Sequence, residues 1–291
     1  MVAMQKYMLK GRAMKTLFMT DLDGTLLNQE GKLSEGSAAL LKQCINAGMA
    51  ITINTSRTPV TAFSIMKDVP WNHPMALMNG VLIYHPVTKQ YLNVASLSRE
   101  TFMVILGIIK LYQLQTFVFG LEPEGIVTYY DSVESHSLNK FRNECIMKYD
   151  SVFTEVGDLS LISNRKILYV MLRETREKLE QLHNDLQAVK GINTSFYQDI
   201  YHPQWYYLEI FSEKASKGQA AAYIKEQGGF ERLVGFGDND NDRAFLEQCD
   251  YTYAVGNAVQ WIQDTSTGII PSNQDDGVAR FLYKMMQDME K

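Results

Sequence analysis

Both ends of this chain carry the same short rhythm of apolar run, polar turn and helix, and that repetition constrains the fold more than any other feature. Residues 15–20 (KTLFMT) form an apolar run that stops at Asp21 and reads as a buried strand. Ser34 is placed to cap a helix through Leu40, Leu41 and Ile45, which Gly48 ends. Residues 49–54 (MAITIN) predict a second buried strand, a further helix follows Pro59, and 75–78 predict a third strand before the turn signal Asn79-Gly80. The rhythm resumes after Phe211, with Ser216 preceding a helix through Ile224, a strand at 233–236, a helix at 243–248, a strand at 252–255 and a closing helix at 278–288. Strand–helix–strand units of this length predict an α/β fold with a Rossmann-like parallel sheet and helices on both faces.

The middle of the chain reads differently. A helix is expected at 98–113, short strands at 116–120 and 126–130, a polar helix at 133–149, a strand at 166–173, a helix at 175–189 and two strands at 192–201 and 205–211. Paired strands between helices predict an α+β insert on an antiparallel sheet. The expected organisation is an N-terminal extension at 1–13, a core from 14–84 and 211–291, and an insert at 85–210. Deleting 1–13 is expected to leave activity intact.

Composition narrows the function classes. At 291 residues, 46% apolar and 21% charged, the chain falls in the ordinary globular range and outside the disordered and disulfide-scaffold classes. A net charge of −5 argues against nucleic acid or an anionic membrane as partner. Three scattered cysteines, Cys44, Cys145 and Cys249, suit a reducing compartment and form no zinc pattern. The most apolar run, 102–111, is too short to span a bilayer, and no apolar core follows the basic residues at 6, 10, 12 and 15. A cytoplasmic protein, a monomer or weak homo-oligomer, is expected.

Four signals sit where core strands or helices end. DLDGT at 21–25 follows the first strand, and carboxylates at i and i+2 of an extended chain face one side. Ligands in open α/β sheets bind at the carboxyl ends of the strands, where this pair could hold a cation or divide into nucleophile and acid/base. A solvated Asp-Gly turn is the structural alternative. GDNDND at 237–242 follows a later strand. Neither motif is a calcium loop, because the glycine position falls on Leu26 or Arg243 and the glutamate position on Lys32 or Cys249. Three crowded carboxylates, Asp238, Asp240 and Asp242, are relieved by a bound cation or, alternatively, by a helix N-terminus. The third signal is Thr55, whose hydroxyl and backbone N–H at a strand end can hold a phosphate oxygen. The fourth is Lys217 at a helix start, where an anion would offset its clash with the helix dipole.

Charge connects the four. A phosphate dianion near one carboxylate at ~4 Å costs about 8 kcal/mol at an effective dielectric of ~20. A carboxylate nucleophile therefore needs that repulsion cancelled, which a divalent cation shared by Asp21 and Asp238, with Lys217 opposite, would do. Mg2+ fits best, since it takes one or two carboxylates, substrate phosphate and waters.

With these motifs in this order the chain resembles a haloacid-dehalogenase superfamily phosphatase of the class IIB, Cof-type branch. The resemblance runs from Met14 through DLDGT, Thr55 with Arg57, Lys217-Gly218 and GDNDND, supported by Asn79-Gly80, AVGNA at 254–258 and DGVA at 276–279. It implies that Asp21 is the nucleophile of an aspartyl-phosphate intermediate and Asp23 the general acid/base, its carbonyl also touching Mg2+. It implies that Asp238 binds the metal and Asp242 contacts it, often through water, and that Thr55, Lys217 and Asn241 lie at the substrate phosphate. The insert would then be a cap that selects the substrate, a small phosphorylated metabolite such as a sugar phosphate. Ser56 departs from the family's usual glycine after the threonine. Two rivals stand beside this Mg2+-dependent phosphatase: a phosphomutase sharing the phosphoaspartate, and a non-catalytic metabolite-binding protein. In the insert, Phe117, Phe119, Tyr129, Tyr130, Tyr197, Trp205, Tyr206 and Tyr207 could line a pocket, although strand alternation puts half of them in the core. His136 and His183 are expected at the surface.

Overall fold

A computed structural model describes residues 8–9 and 12–289. Most of the extension expected at 1–13 thus falls outside the described residues; its remainder is a short antiparallel pair, Met8–Leu9 with Arg12–Ala13. The chain divides into two compact units, one holding residues up to Ser56, Ile65–Leu92 and everything from Lys217, the other Arg57–Ser64 and Asn93–Ser216.

In the first unit, β1 (Thr16–Thr20), β2 (Ala50–Ile53), β12 (Arg232–Gly237), β13 (Tyr251–Val255) and β14 (Gly268–Ile270) form a parallel sheet in the order β14-β13-β12-β1-β2. Its central strands read as unbroken apolar runs because both faces are covered, and β12 is buried along its whole length. Helix α1 (Glu35–Asn46) begins where Ser34 Oγ accepts from Ser37 N at 2.9 Å, and it stops at Gly48, whose φ of +89° suits glycine. It packs against the closing helix α8 (Gly277–Met289).

The run at 75–78 does not extend this sheet. β3 (Met75–Leu77) turns back antiparallel onto β4 (Leu82–His85), and β5 (Gln90–Val94) completes a separate three-stranded sheet. Positive φ angles at Met78, Asn79 and Gly80 reverse the chain there, while a parallel bridge between Asn54 and Ala76 holds β3 at the end of β2.

The second unit is built on a six-stranded sheet, β8-β7-β6-β9-β11-β10, from β6 (Phe117–Glu122), β7 (Gly125–Tyr130), β8 (Val152–Glu155), β9 (Lys166–Glu174), β10 (Ile192–Gln198) and β11 (Tyr206–Ser212). The antiparallel expectation holds except at β8, which joins β7 in parallel and makes the sheet mixed. Short, exposed and flanked by charge, β8 carries no apolar pattern to betray it. Helices α3 (Arg99–Leu111) and α5 (Arg176–Leu186) bury Phe102, Ile105, Leu179 and Leu182 with Val170, Leu172 and Leu208 of the sheet. Helices α2 (Pro59–Met66) and α4 (His136–Tyr149) also have most or all of their residues in this unit's segments. Among the described residues, no helix is long and apolar enough to cross a membrane.

Candidate active site

The site forms where the parallel strands end. β1 delivers Asp21, whose N–H donates to Phe236 O at 3.0 Å and so fixes it against β12. The chain then folds back, Leu26 and Leu27 both donating to Leu22 O, with Leu22, Leu26 and Leu27 buried as anchors. Gly24 has φ +83°, and a Cβ there would lie 2.2 Å from Asp238 Oδ2. Glycine is therefore required twice over, by the backbone and by the carboxylate seated against it. Thr25 completes the junction by donating from Oγ1 to Asp238 Oδ1 at 2.6 Å.

β12 delivers Asp238, and the 3-10 turn Asp240–Asp242 folds Asp242 back beneath it. Asp242 Oδ2 accepts from the N–H groups of Asp238 (3.0 Å) and Asn239 (3.3 Å). Asp240 points the other way, exposed, and accepts from Trp261 Nε1 at 2.6 Å. The crowded triplet thus splits into two inward carboxylates and one outward. Asn241 lies half-buried in the same turn.

Lys217 opens α6 (Lys217–Gln227), only 2% exposed, and its Nζ donates to Asp21 Oδ1 at 2.6 Å and Asp242 Oδ1 at 2.7 Å. Gly218 makes room for it, since a Cβ there would stand 2.3 Å from Ala244 O in α7 (Arg243–Leu246). Asn54 holds the lysine from behind, donating from Nδ2 to Lys217 O at 2.7 Å. Thr55 follows on β2, whose register with β1 sets 54 and 55 alongside Asp21. Its N–H donates to Ala76 O at 3.0 Å, so one of the two donors expected there is engaged within the fold. Asp23 is half-buried, and its charge is felt at Asp21.

Asp21, Asp238 and Asp242 are all buried, and each offers an oxygen within 4.8 Å of the others'. Ionised together against one ammonium, they leave a deep negative excess in a place where charge is costly. Burial, then Asp242 and Asp23, push Asp21 up from 3.8 to about 7 despite Lys217. Burial, Asp242 and Asp21 push Asp238 well above the usual carboxylate range. Lys217 is raised as well, which for an amine favours the charged form: burial opposes its charge, but Asp21 and Asp242 outweigh that and hold it protonated. Such a donor set of hard oxygens with surplus negative charge fits a divalent cation.

Sequence reasoning brought Asp21, Asp238, Asp242 and Lys217 into one hypothesis, and the fold brings them into one cluster. It left Thr25 and Asn54 without roles. Thr25 was visible inside DLDGT, and Asn54 as the one polar amide ending an otherwise apolar strand.

The haloacid dehalogenase-like hydrolase family matches residues 18–282. The 5-amino-6-(5-phospho-D-ribitylamino)uracil phosphatase YitU of Bacillus subtilis is 23% identical over 91% of this chain and 96% of its own. Pyridoxal phosphate phosphatase YbhA of Escherichia coli is 24% identical over 90% of this chain and 96% of its own. The solved structure of the subclass IIB sugar phosphatase BT4131 superposes with a TM-score of 0.71 at 14% identity, covering 93% of this chain and 98% of that one.

Proposed function

This chain belongs to the haloacid dehalogenase-like hydrolases, and we propose that it falls in their Cof-type, IIB branch and hydrolyses small phosphomonoesters through a phosphoaspartate on Asp21. One observation carries this: the buried Asp21, Asp238 and Asp242 meet around Lys217 at the carboxyl ends of parallel strands.

Asp21 attacks phosphorus in line, forming an aspartyl Oδ–P bond as the ester P–O bond breaks. Asp23 gives its proton to the departing alkoxide, then takes one from the water that cleaves the acyl phosphate, so that alcohol and inorganic phosphate leave, Asp21 is again a carboxylate and Asp23 again a carboxylic acid. Lys217 offsets charge on the phosphoryl oxygens, and the Thr55 hydroxyl and Asn241 orient them. Mg2+, held by the side chains of Asp21 and Asp238, the Asp23 carbonyl and Asp242, would supply the positive charge that lets an anionic nucleophile approach an anionic ester.

The named relatives act on chemically unlike phosphates, a ribitylaminouracil and a pyridoxal. That diversity supports assigning substrate choice to the insert at 85–210, with the shared phosphoryl group as the constant element. A screen of phosphorylated metabolites, read by released inorganic phosphate, names the substrate and distinguishes hydrolysis from phosphomutase transfer. With p-nitrophenyl phosphate and Mg2+, Asp21→Asn is expected to lose about four orders of magnitude in turnover while keeping its circular dichroism. A variant retaining wild-type rate would overturn the mechanism.

A further inference from the structure

The AVGNA phrase at 254–258 has no place in the chemistry above, yet the segment containing it touches both acid-bearing loops. After β13, Asn257 Nδ2 donates to Gly24 O at 2.7 Å, and two residues on Val259 N donates to Asp238 O at 2.9 Å. Behind them, in the segment after β14, the N–H of Asn273 donates to Asn257 Oδ1 at 3.0 Å. The buried Asn273 side chain in turn donates to Leu27 O at 2.7 Å. All the carbonyls gripped on the acid-bearing loops therefore belong to the turn that follows Asp21 or to Asp238 itself.

We propose that residues 257–259, backed by Asn273, are a brace that sets the spacing between the Asp21 loop and Asp238 and thereby the affinity of the cluster for a divalent cation. The inference rests on the reading of Asp21 and Asp238 as cation ligands. Its physical ground is that the loops carrying the two side chains meet at Gly24 with no slack, a Cβ there standing 2.2 Å from Asp238 Oδ2. Mg2+ demands a near-ideal octahedron, so an outward relaxation of either loop lowers affinity more than it lowers stability. Asn257 acts through Gly24 and is a positioning residue.

Two variants separate the brace from simple glue. Asn257→Asp keeps the acceptor for Asn273 N–H and removes the donor to Gly24 O. On charge alone the new carboxylate would tighten cation binding; the brace requires it to loosen. Val259→Pro deletes the N–H that grips Asp238 O, and Val259 already has φ −60° and ψ 150°, which proline adopts. Calorimetric titration with Mg2+ alone, without substrate, is expected to give a Kd raised about tenfold in each variant, while KM for p-nitrophenyl phosphate at saturating Mg2+ stays within about threefold. Should either variant fail to fold, Asn257→Ser, at an exposed and neutral position, takes its place with the same expected loosening. Variants that bind Mg2+ as wild type does, or an Asn257→Asp protein that binds it more tightly, overturn the brace. Wild-type protein that takes up no Mg2+ overturns the cation reading and the brace with it; wild-type uptake abolished by Asp238→Asn upholds that reading whatever the brace variants do.

Discussion

Each unit of the molecule buries charge, and the two do it in opposite ways. In the second unit Arg173, 2% exposed, lies on the Tyr207 ring and donates from Nη2 and Nε to Asp199 Oδ2 at 2.7 and 3.1 Å, and from Nη1 to Ser137 O at 2.9 Å. Asp199, 4% exposed, accepts through its other oxygen from Tyr201 N and His202 N. One cation faces one anion, and the surrounding groups complete them. In the first unit Lys217 faces Asp21 and Asp242 with Asp238 beside them, so one ammonium meets an excess of carboxylate. The first arrangement is closed and welds β9, α4 and the turn after β10. The second is open, and its excess of carboxylate is what a cation would balance. Closure, more than burial, separates structural charge from reactive charge.

Removing the cation from each cluster tests that contrast at its strongest. Lys217→Met leaves three buried carboxylates unopposed, and turnover of p-nitrophenyl phosphate is expected to fall about a hundredfold or more even at saturating Mg2+. Arg173→Met strands Asp199 in the interior, and urea unfolding is expected to show a loss of about 3–5 kcal/mol. The folded Arg173→Met protein should nonetheless bind Mg2+ within about twofold of wild type. A large shift in its Mg2+ affinity would erase the distinction between the two clusters.

The contrast also marks what the residues alone disclose. β1, β2 and β12 are legible because strands covered on both faces must be continuously apolar, Asp21 and Asp238 because each follows such a run, and Lys217 because it stands at a helix start against the dipole. The sheet of β3, β4 and β5 was not, since Asn79-Gly80 announces a turn without saying that the chain after it pairs back onto β3. β14 is three residues long, too short for any period. Arg173 is invisible as a buried charge: it ends an apolar strand much as Asp21 follows one, and its partner waits 26 residues away in a turn. Asn257 and Asn273 escape for a different reason. They bind backbone carbonyls, and a carbonyl has no sequence signature.

A smaller effect sharpens the comparison through pH. In the cation-free protein, burial and neighbouring carboxylates lift Asp21 from 3.8 to about 7 and lift Asp238 as well. The folded state therefore keeps protons that the unfolded chain releases above about pH 4. The stability this confers is complete below that point and is lost as pH climbs through about 7, because a raised acid favours folding only while protonated. Mg2+ binding must displace those protons, so its stabilising effect grows over the same interval. With Mg2+ at about a hundredfold above Kd, mass action supplies about 2.7 kcal/mol, or a Tm gain of about 5–10 °C at pH 8. Near pH 5 the gain is expected to shrink to about a degree, read by thermal unfolding with Mg2+ against EDTA. Asp238→Asn should flatten the difference at every pH, whereas Arg173→Met should lower Tm in both media and leave their difference, and its pH dependence, in place. A Mg2+ increment that stays constant from pH 5 to 8 would mean that the carboxylates are already ionised without a cation, and that burial and crowding do not lift them as this contrast requires.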